Sequence, residues 1–361
     1  MKEKETCIIH FGPGLREKGG VVSVINGIVD SKLSFKYNLR NIETTKSKGK
    51  MLSFLKSIIN FIRMKRIYDI KIVHIHMASY GSFYRKSIMA ILASMFKIPI
   101  VIHVHGACFN IFYNSLNKCL KKYCNYIFKL SNKVIVLSES WKEFFISFVN
   151  EEKILVLHNS VKISENFNKE IKTDNEKVTF LFMGRCSNRK GVYDLLDIVE
   201  NIKNDNEYTE NNFELLLAGD GELEKIKNII NVKKIDNIVK VLGWVDEKER
   251  EELLKKSDVF ILPSYNEGLP MAMLEAMSRG LVPVVSSVGG IPEVIKDGLN
   301  GYINEAGDKE AFYTNMVNLI CHKDLIFKIG KNAFDTVYND FNSEKEMMIL
   351  DKLYKEILDQ N

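Results

Sequence analysis

Two glutamates, Glu267 and Glu275, stand either side of a Gly-Leu-Pro turn in the stretch Ile261-Leu262-Pro263-Ser264-Tyr265-Asn266-Glu267-Gly268-Leu269-Pro270-Met271-Ala272-Met273-Leu274-Glu275-Ala276-Met277. The apolar run ending at Leu262 reads as a buried strand, and the turn after Glu267 reads as the start of a helix. Pro270 suits the first helical position, where its fixed φ is helical and its missing N–H is no loss. Gly280 suits the C-terminal cap. Backbone N–H groups from Gly268 onward then point out of the helix start, where an anion binds. Glu275 falls about 1.5 turns into the helix at 3.6 residues per turn. It is too deep to cap the helix, but it is placed to accept hydrogen bonds from a vicinal diol.

A second set is cationic. Arg185 and Lys190 follow the apolar run 178–183 in one post-strand loop. Charge-assisted hydrogen bonds from such groups to an anion contribute roughly 1.5–3 kcal/mol each. No two aspartates are separated by one residue, so a DxD signature for a diphosphate-bound metal is absent, and no metal or other cofactor is expected.

Histidines form a third set. His74-x-His76 and His103-x-His105 each end an apolar run, and alternation puts both members of a pair on one sheet face. Paired histidines can bind zinc, but no cysteine or carboxylate pattern completes a site. Packing or satisfying backbone groups is the expectation for His74, His76 and His103.

Behind these residues lie two series of strand-then-helix units. Residues 6–11, 70–76, 100–105, 133–137 and 153–157 read as strands in the first half, with helical patterns over 51–67 and 85–96. Residues 178–183, 213–218, 238–242, 259–262 and 282–286 read as strands in the second. Short apolar strands alternating with helices imply parallel sheets covered on both faces. The fold expected is α/β, with two facing Rossmann-like domains and ligands outside the carboxyl ends of the strands, in the interdomain cleft. The boundaries expected are 1–165 and 166–342, across a polar linker at 162–177. A C-terminal helix with an apolar stripe at Met347, Met348, Leu350, Leu353, Tyr354 and Ile357 is expected to pack back on the first domain.

Charge follows the same division. Residues 1–170 carry 27 Lys+Arg against 12 Asp+Glu, a balance of +15; the other residues carry 24 against 34, a balance of −10. The pattern over 51–67 interleaves Phe54, Leu55, Ile58, Ile59, Phe61 and Ile62 with Lys56, Arg63, Lys65 and Arg66, after Lys46, Lys48 and Lys50. Such a helix suits an anionic membrane surface as well as a sheet. Nucleic acid is not expected, because no recognition motif accompanies the charge. Six cysteines without a CxxC pair read as reduced thiols. The alternating Lys and Glu of the opening Met1 to Glu5 are not expected to form a signal peptide. The uncharged stretch 98–117 contains Pro99, His103, His105 and Gly106 and is not expected to span a bilayer. A cytoplasmic protein, peripheral on the inner membrane face, is the expectation.

Taken in order, these residues resemble family 4 retaining glycosyltransferases of the GT-B fold. Glu267 and Glu275 match the family's E-x7-E motif. The resemblance continues through Gly280-Leu281-Val282-Pro283, Gly289-Gly290-Ile291-Pro292-Glu293, Gly298 and Gly301, and upstream through Gly184-Arg185, Lys190-Gly191, Ala218-Gly219-Asp220-Gly221 and Gly243-Trp244. The resemblance implies that Arg185 and Lys190 clamp the donor diphosphate and that Glu275 holds the ribose hydroxyls. It implies that Glu267 faces the transferred sugar, with the amides of Gly268, Leu269 and Met271 near sugar and phosphate. The resemblance further implies that Gly243-Trp244-Val245 lies beside the base, with a core position for Trp244 an equal alternative. In Gly12-Pro13-Gly14-Leu15-Arg16-Glu17-Lys18-Gly19-Gly20, the resemblance places Gly19 and Gly20 at a helix start near donor phosphate or acceptor. Glu17 departs from the dinucleotide pattern GxGxxG. His105, before Gly106, matches the family's histidine beside the transferred sugar, in preference to His103.

The function so implied is retaining, metal-independent hexosyl transfer, with a UDP-sugar the expected donor. The expected acceptor is a saccharide or lipid-linked saccharide in cell-surface polysaccharide synthesis. A catalytically silent GT-B partner that binds nucleotide sugar, and a nucleotide-sugar epimerase, are the rivals.

Overall fold

The computed structural model describes residues 4–17, 19–45, 50–163, 167, 176–205 and 211–360. Residues 1–3, Lys18, Lys46, Lys48 and most of the linker 162–177 lie outside the described residues. The chain divides into unit 1, residues 1–162 with 343–361, and unit 2, residues 163–342. The division thus falls after Lys162 rather than after residue 165.

Unit 1 holds β1 (Thr6–Pro13), β2 (Leu39–Thr45), β3 (Asp69–Met77), β4 (Ile100–Val104), β5 (Lys133–Val136) and β6 (Ile154–Val156). All pair in parallel, in the order β2-β1-β3-β4-β5-β6. Helices between successive strands supply the crossovers that parallel pairing requires. β2 is absent from the expected strands because Leu-Arg-Asn-Ile-Glu-Thr-Thr is an edge strand and lacks a continuous apolar run. β4 ends one residue before His105, which opens the following loop.

Alternation along the strands sorts the core of unit 1 into two faces. Ile9, Phe11, Val73, Ile75 and Ile102 pack with Phe83, Phe109 and Phe112 on one side. Ile8, Ile72, Val101 and Ile135 pack on the other against Leu350, Leu353, Tyr354 and Ile357 of the helix Ser343–Asp359. The same alternation puts His10, His74, His76, His103 and His105 on the face that this helix covers.

Unit 2 holds β7 (Val178–Met183), β8 (Phe213–Ala218), β9 (Val239–Gly243), β10 (Val259–Leu262), β11 (Val282–Ser286) and β12 (Tyr302–Asn304). The order is β12-β11-β10-β7-β8-β9, again all parallel. β12, three residues at an edge, escapes a sequence pattern for the same reason as β2. In each sheet the strand order reverses once, between β1 and β3 in unit 1 and between β7 and β10 in unit 2. In doubly wound sheets ligands bind outside the carboxyl ends at that reversal.

Candidate active site

In unit 2 the loops after β7 and β10 flank the reversal, and they carry Lys190 and Glu267. Lys190, at the end of the 3-10 turn Asn188–Lys190, donates from Nζ to Glu267 Oε1 at 2.5 Å. The two side chains are only 14% and 7% exposed. Backbone bonds lace the same loops together: the Tyr265 amide donates to the Arg189 carbonyl at 2.9 Å, and Arg189 Nη1 donates to the Asn266 carbonyl at 2.6 Å. Gly191 has φ +70°, and a Cβ there would collide with the Pro263 carbonyl. Gly289, at φ +59°, presses on the Glu267 carbonyl in the same way, and the Gly290 amide donates to the Gly268 carbonyl at 2.6 Å. Glu267 is therefore held from both flanks by backbone that only glycine can supply.

Behind this loop the helix runs Met271–Met277, and Pro270 is its N-cap at φ −71°, ψ 119°. Pro270 therefore precedes the first helical position that the sequence pattern assigned to it. Its extended ψ is the reason: the helix begins once that torsion has turned, and the Pro270 carbonyl accepts from the Met273 and Leu274 amides. The other end is a Schellman cap. The Gly280 amide donates to Met277 and the Leu281 amide to Ala276, with Gly280 at φ +72°. Gly268 is buried, as is Leu269.

Glu275 faces Arg250 of the helix Glu247–Lys256, with Nη1 3.4 Å from Oε1. Burial raises the Glu275 carboxyl above its ordinary range, and the Arg250 guanidinium opposes that rise. Arg185 differs from Lys190. Its side chain is 68% exposed and its ion-pair partner is Asp220, at 3.8 Å. The two cations expected to act as a pair thus have separate partners before any ligand arrives. Trp244, after β9, is half-exposed, which removes it from the core. Arg189, Arg250 and Asp220 were not singled out as partners by sequence, since their roles depend on contacts between separate loops and helices.

In unit 1, Gly20 is the first residue of the helix Gly20–Val29. Gly19 caps it at φ +123° without a side-chain bond, and no acidic residue sits in the first turn. His105 follows β4, and its amide donates to the Met77 carbonyl at 2.8 Å. His105 is partly exposed, whereas His10, His74, His76 and His103 are buried. The buried imidazoles bond through their side chains to one another, to His105 and to Tyr354. His10 escaped the sequence reading and Tyr354 entered it only as part of an apolar stripe, because only the β1–β3 register and the returning helix bring them to His74. Two sets, His10–His74–His76 and His76–His103–His105, bring nitrogens within 4.8 Å of one another. Lys86 is also buried and donates to the His76 carbonyl. Burial, aided by Arg85, lowers its ammonium to about 7.

The helix Lys50–Ile67 buries Phe54 and Phe61 while exposing Leu52, Leu55, Ile59 and Ile62 beside Lys56, Arg63 and Arg66. Among the described residues no helix is long and apolar enough to cross a membrane.

Two doubly wound parallel sheets, each with polar loops at its carboxyl edge, define the GT-B class. Sucrose-phosphate synthase from Thermosynechococcus elongatus matches with a TM-score of 0.83 at 15% identity, over 99% of this chain and 100% of that one. HepE of Anabaena, in complex with UDP and glucose, matches at 0.75 and 16%, over 97% and 100%. Residues 5–165 match the model of Glycosyltransferase Family 4, and residues 162–335 match that of Glycosyl transferases group 1. The chain belongs to these glycosyltransferases. A relative from Escherichia coli, UDP-Gal:alpha-D-GlcNAc-diphosphoundecaprenol alpha-1,3-galactosyltransferase, is 29% identical over 84% of this chain and 80% of its own.

Proposed function

We propose that the chain is a retaining, metal-independent hexosyltransferase that uses a UDP-sugar donor and a lipid-linked saccharide acceptor in cell-surface polysaccharide synthesis. The observation that carries the reading is the buried pair of Lys190 and Glu267 at the strand reversal of unit 2. In this reading the donor diphosphate takes Lys190 from Glu267, adds the exposed Arg185, and meets amides of Gly268 and Leu269. The family resemblance assigns Gly20 of unit 1 to the donor phosphates as well. Freed Glu267 accepts from the sugar hydroxyls, and Glu275 accepts from the ribose diol. His105 donates to the sugar and steadies the charge that develops at its ring.

The bond from the anomeric carbon to the diphosphate oxygen breaks, and a bond to the acceptor oxygen forms on the same face. The acceptor hydroxyl proton passes to the departing phosphate oxygen. Two cations on the leaving group do the electrostatic work that a metal does elsewhere. The UDP-galactose donor and diphosphoundecaprenol-linked acceptor of the Escherichia coli relative support the choice of substrates, and the family resemblance supports retention.

The apolar and basic exposed side of the helix Lys50–Ile67 suits docking on anionic lipid, where a lipid-linked acceptor resides. The deciding experiment incubates the purified protein with UDP-sugars and a polyprenyl-diphosphate saccharide, with and without EDTA. An α-linked product from an α-linked donor, unaffected by EDTA, is expected. A β-linked product, or one abolished by EDTA, refutes the reading.

A further inference from the structure

Five imidazoles and one phenol in unit 1 form a single file of hydrogen bonds. His105 Nε2 lies 2.9 Å from His76 Nδ1, and His76 Nε2 lies 3.0 Å from His10 Nδ1. His10 Nε2 lies 3.2 Å from the Tyr354 hydroxyl, which lies 2.6 Å from His74 Nδ1. His74 Nε2 then lies 3.3 Å from His103 Nδ1. A neutral imidazole has one N–H and one bare nitrogen, and a phenol has one O–H. Each group therefore supplies one proton; the phenol oxygen could accept from both neighbours, but that would leave the buried Tyr354 O–H without a partner in the file, so two directions remain that place every inner proton in a hydrogen bond. Protons point either from His103 toward His105 or the reverse.

The inner end decides between them. His103 Nε2 is buried without a hydrogen-bond partner among the described residues. Running the file toward His105 leaves a bare nitrogen there, whereas the reverse leaves an orphaned N–H, the rarer arrangement in proteins. Burial lowers His10 to about 3 and holds His74, His76 and His103 well below their ordinary range, which keeps one proton on each ring. A metal ion fits the His10–His74–His76 set poorly. His74 and His76 stack within 8° of parallel at 4.5 Å, so their in-plane lone pairs run side by side instead of converging.

We propose that this file fixes His105 as the tautomer protonated on Nδ1, with Nε2 accepting from His76, so that Nδ1–H is a set donor toward a hydroxyl oxygen of the transferred sugar. His76 is then a positioning residue, and Tyr354 joins the two halves of the file. The substrate contact rests on the reading of His105 given above; the tautomer does not.

The test labels the seven histidines with 15N and reads their ring shifts, assigning His105 through His105→Asn. Wild type is expected to show His105 protonated on Nδ1, with a coupling between its Nε2 and His76 Nδ1 across the hydrogen bond. His76→Met is expected to release the tautomer and lower kcat on the order of 10- to 100-fold, with little change in donor KM. His76→Gln, whose amide can still donate, is expected to restore both. A wild-type His105 protonated on Nε2 overturns the proposal, and so does an unchanged tautomer in a folded His76→Met. Should that variant fail to fold, the wild-type spectrum decides alone. A folded wild type with the expected tautomer and no transfer activity would refute the functional reading and leave the file intact.

Discussion

In unit 1 the imidazoles behind the strand ends are neutral and bonded in series, whereas in unit 2 the side chains there are charged and bonded in pairs. The serial arrangement sits under the helix Ser343–Asp359 and opens to solvent only at His105. The paired arrangement joins Glu267 and Glu275, on the loop and helix that follow β10, to Lys190 in the loop after β7 and Arg250 on the helix after β9. The difference suits the two tasks proposed above for the units. A diphosphate brings its own charge, so a cation held by a carboxylate can change partners when the ligand arrives. A sugar hydroxyl brings none, so a neutral donor of fixed direction recognises it without a buried ion to desolvate.

Acid should separate the units most strongly. Below pH 6.5, the ordinary histidine value, unfolded imidazoles take up protons while the four fully buried ones stay neutral. Unfolding of unit 1 therefore becomes easier as pH falls, by about 1.4 kcal/mol per pH unit for each group. In unit 2, burial tends to raise the Asp197 carboxyl, but Lys233 and Lys309 draw it below 3.8. Its stabilisation is present above that value and is lost only as pH falls further. Each unit has one of the two tryptophans, Trp141 and Trp244, so Trp244→Phe and Trp141→Phe report them separately. Urea midpoints of unit 1 should fall steeply between pH 6.5 and 5; a flat unit 1 profile would break the contrast.

The next largest effect concerns the buried pair. Lys190→Ala should destabilise unit 2 by about 3–5 kcal/mol, because Glu267 is left charged and alone. Lys190→Met combined with Glu267→Leu should recover much of that stability. Transfer should stay depressed in both, on the order of 100- to 1,000-fold. Thermal melts and initial rates on the same samples check this, and a double variant that regains activity would show the pair to be structural only.

Glu275→Gln should have the smallest effect. It keeps the shape and removes a charge-assisted bond to the ribose, so donor KM should rise about tenfold with kcat nearly unchanged. An equal fall in kcat would move Glu275 into the reacting centre.

Much of unit 2 was legible in the sequence because its information is local. Leu262 ends a strand, Glu267 and Gly268 form the turn, and Gly280 closes the helix, all within nineteen residues of continuous pattern. Even there the exchange of Lys190 with Glu267 was hidden, since it joins loops 77 positions apart. The file in unit 1 was less legible still. Alternation put His74 beside His76 and His103 beside His105, but His10 is placed by the β1–β3 register, and Tyr354 arrives from 344 positions away. The edge strands β2 and β12 were missed because they lack a long apolar run.

The helix Ser343–Asp359 also has a consequence for the order of events on the ribosome. Residues 1–162 emerge first, yet the face formed by Ile8, Ile72, Val101 and Ile135 waits for Leu350, Leu353 and Ile357. All of unit 2 is translated in between. The first unit to be made is therefore the last to close, and during synthesis its histidine-bearing face stays uncovered while the second unit can already fold as a continuous segment.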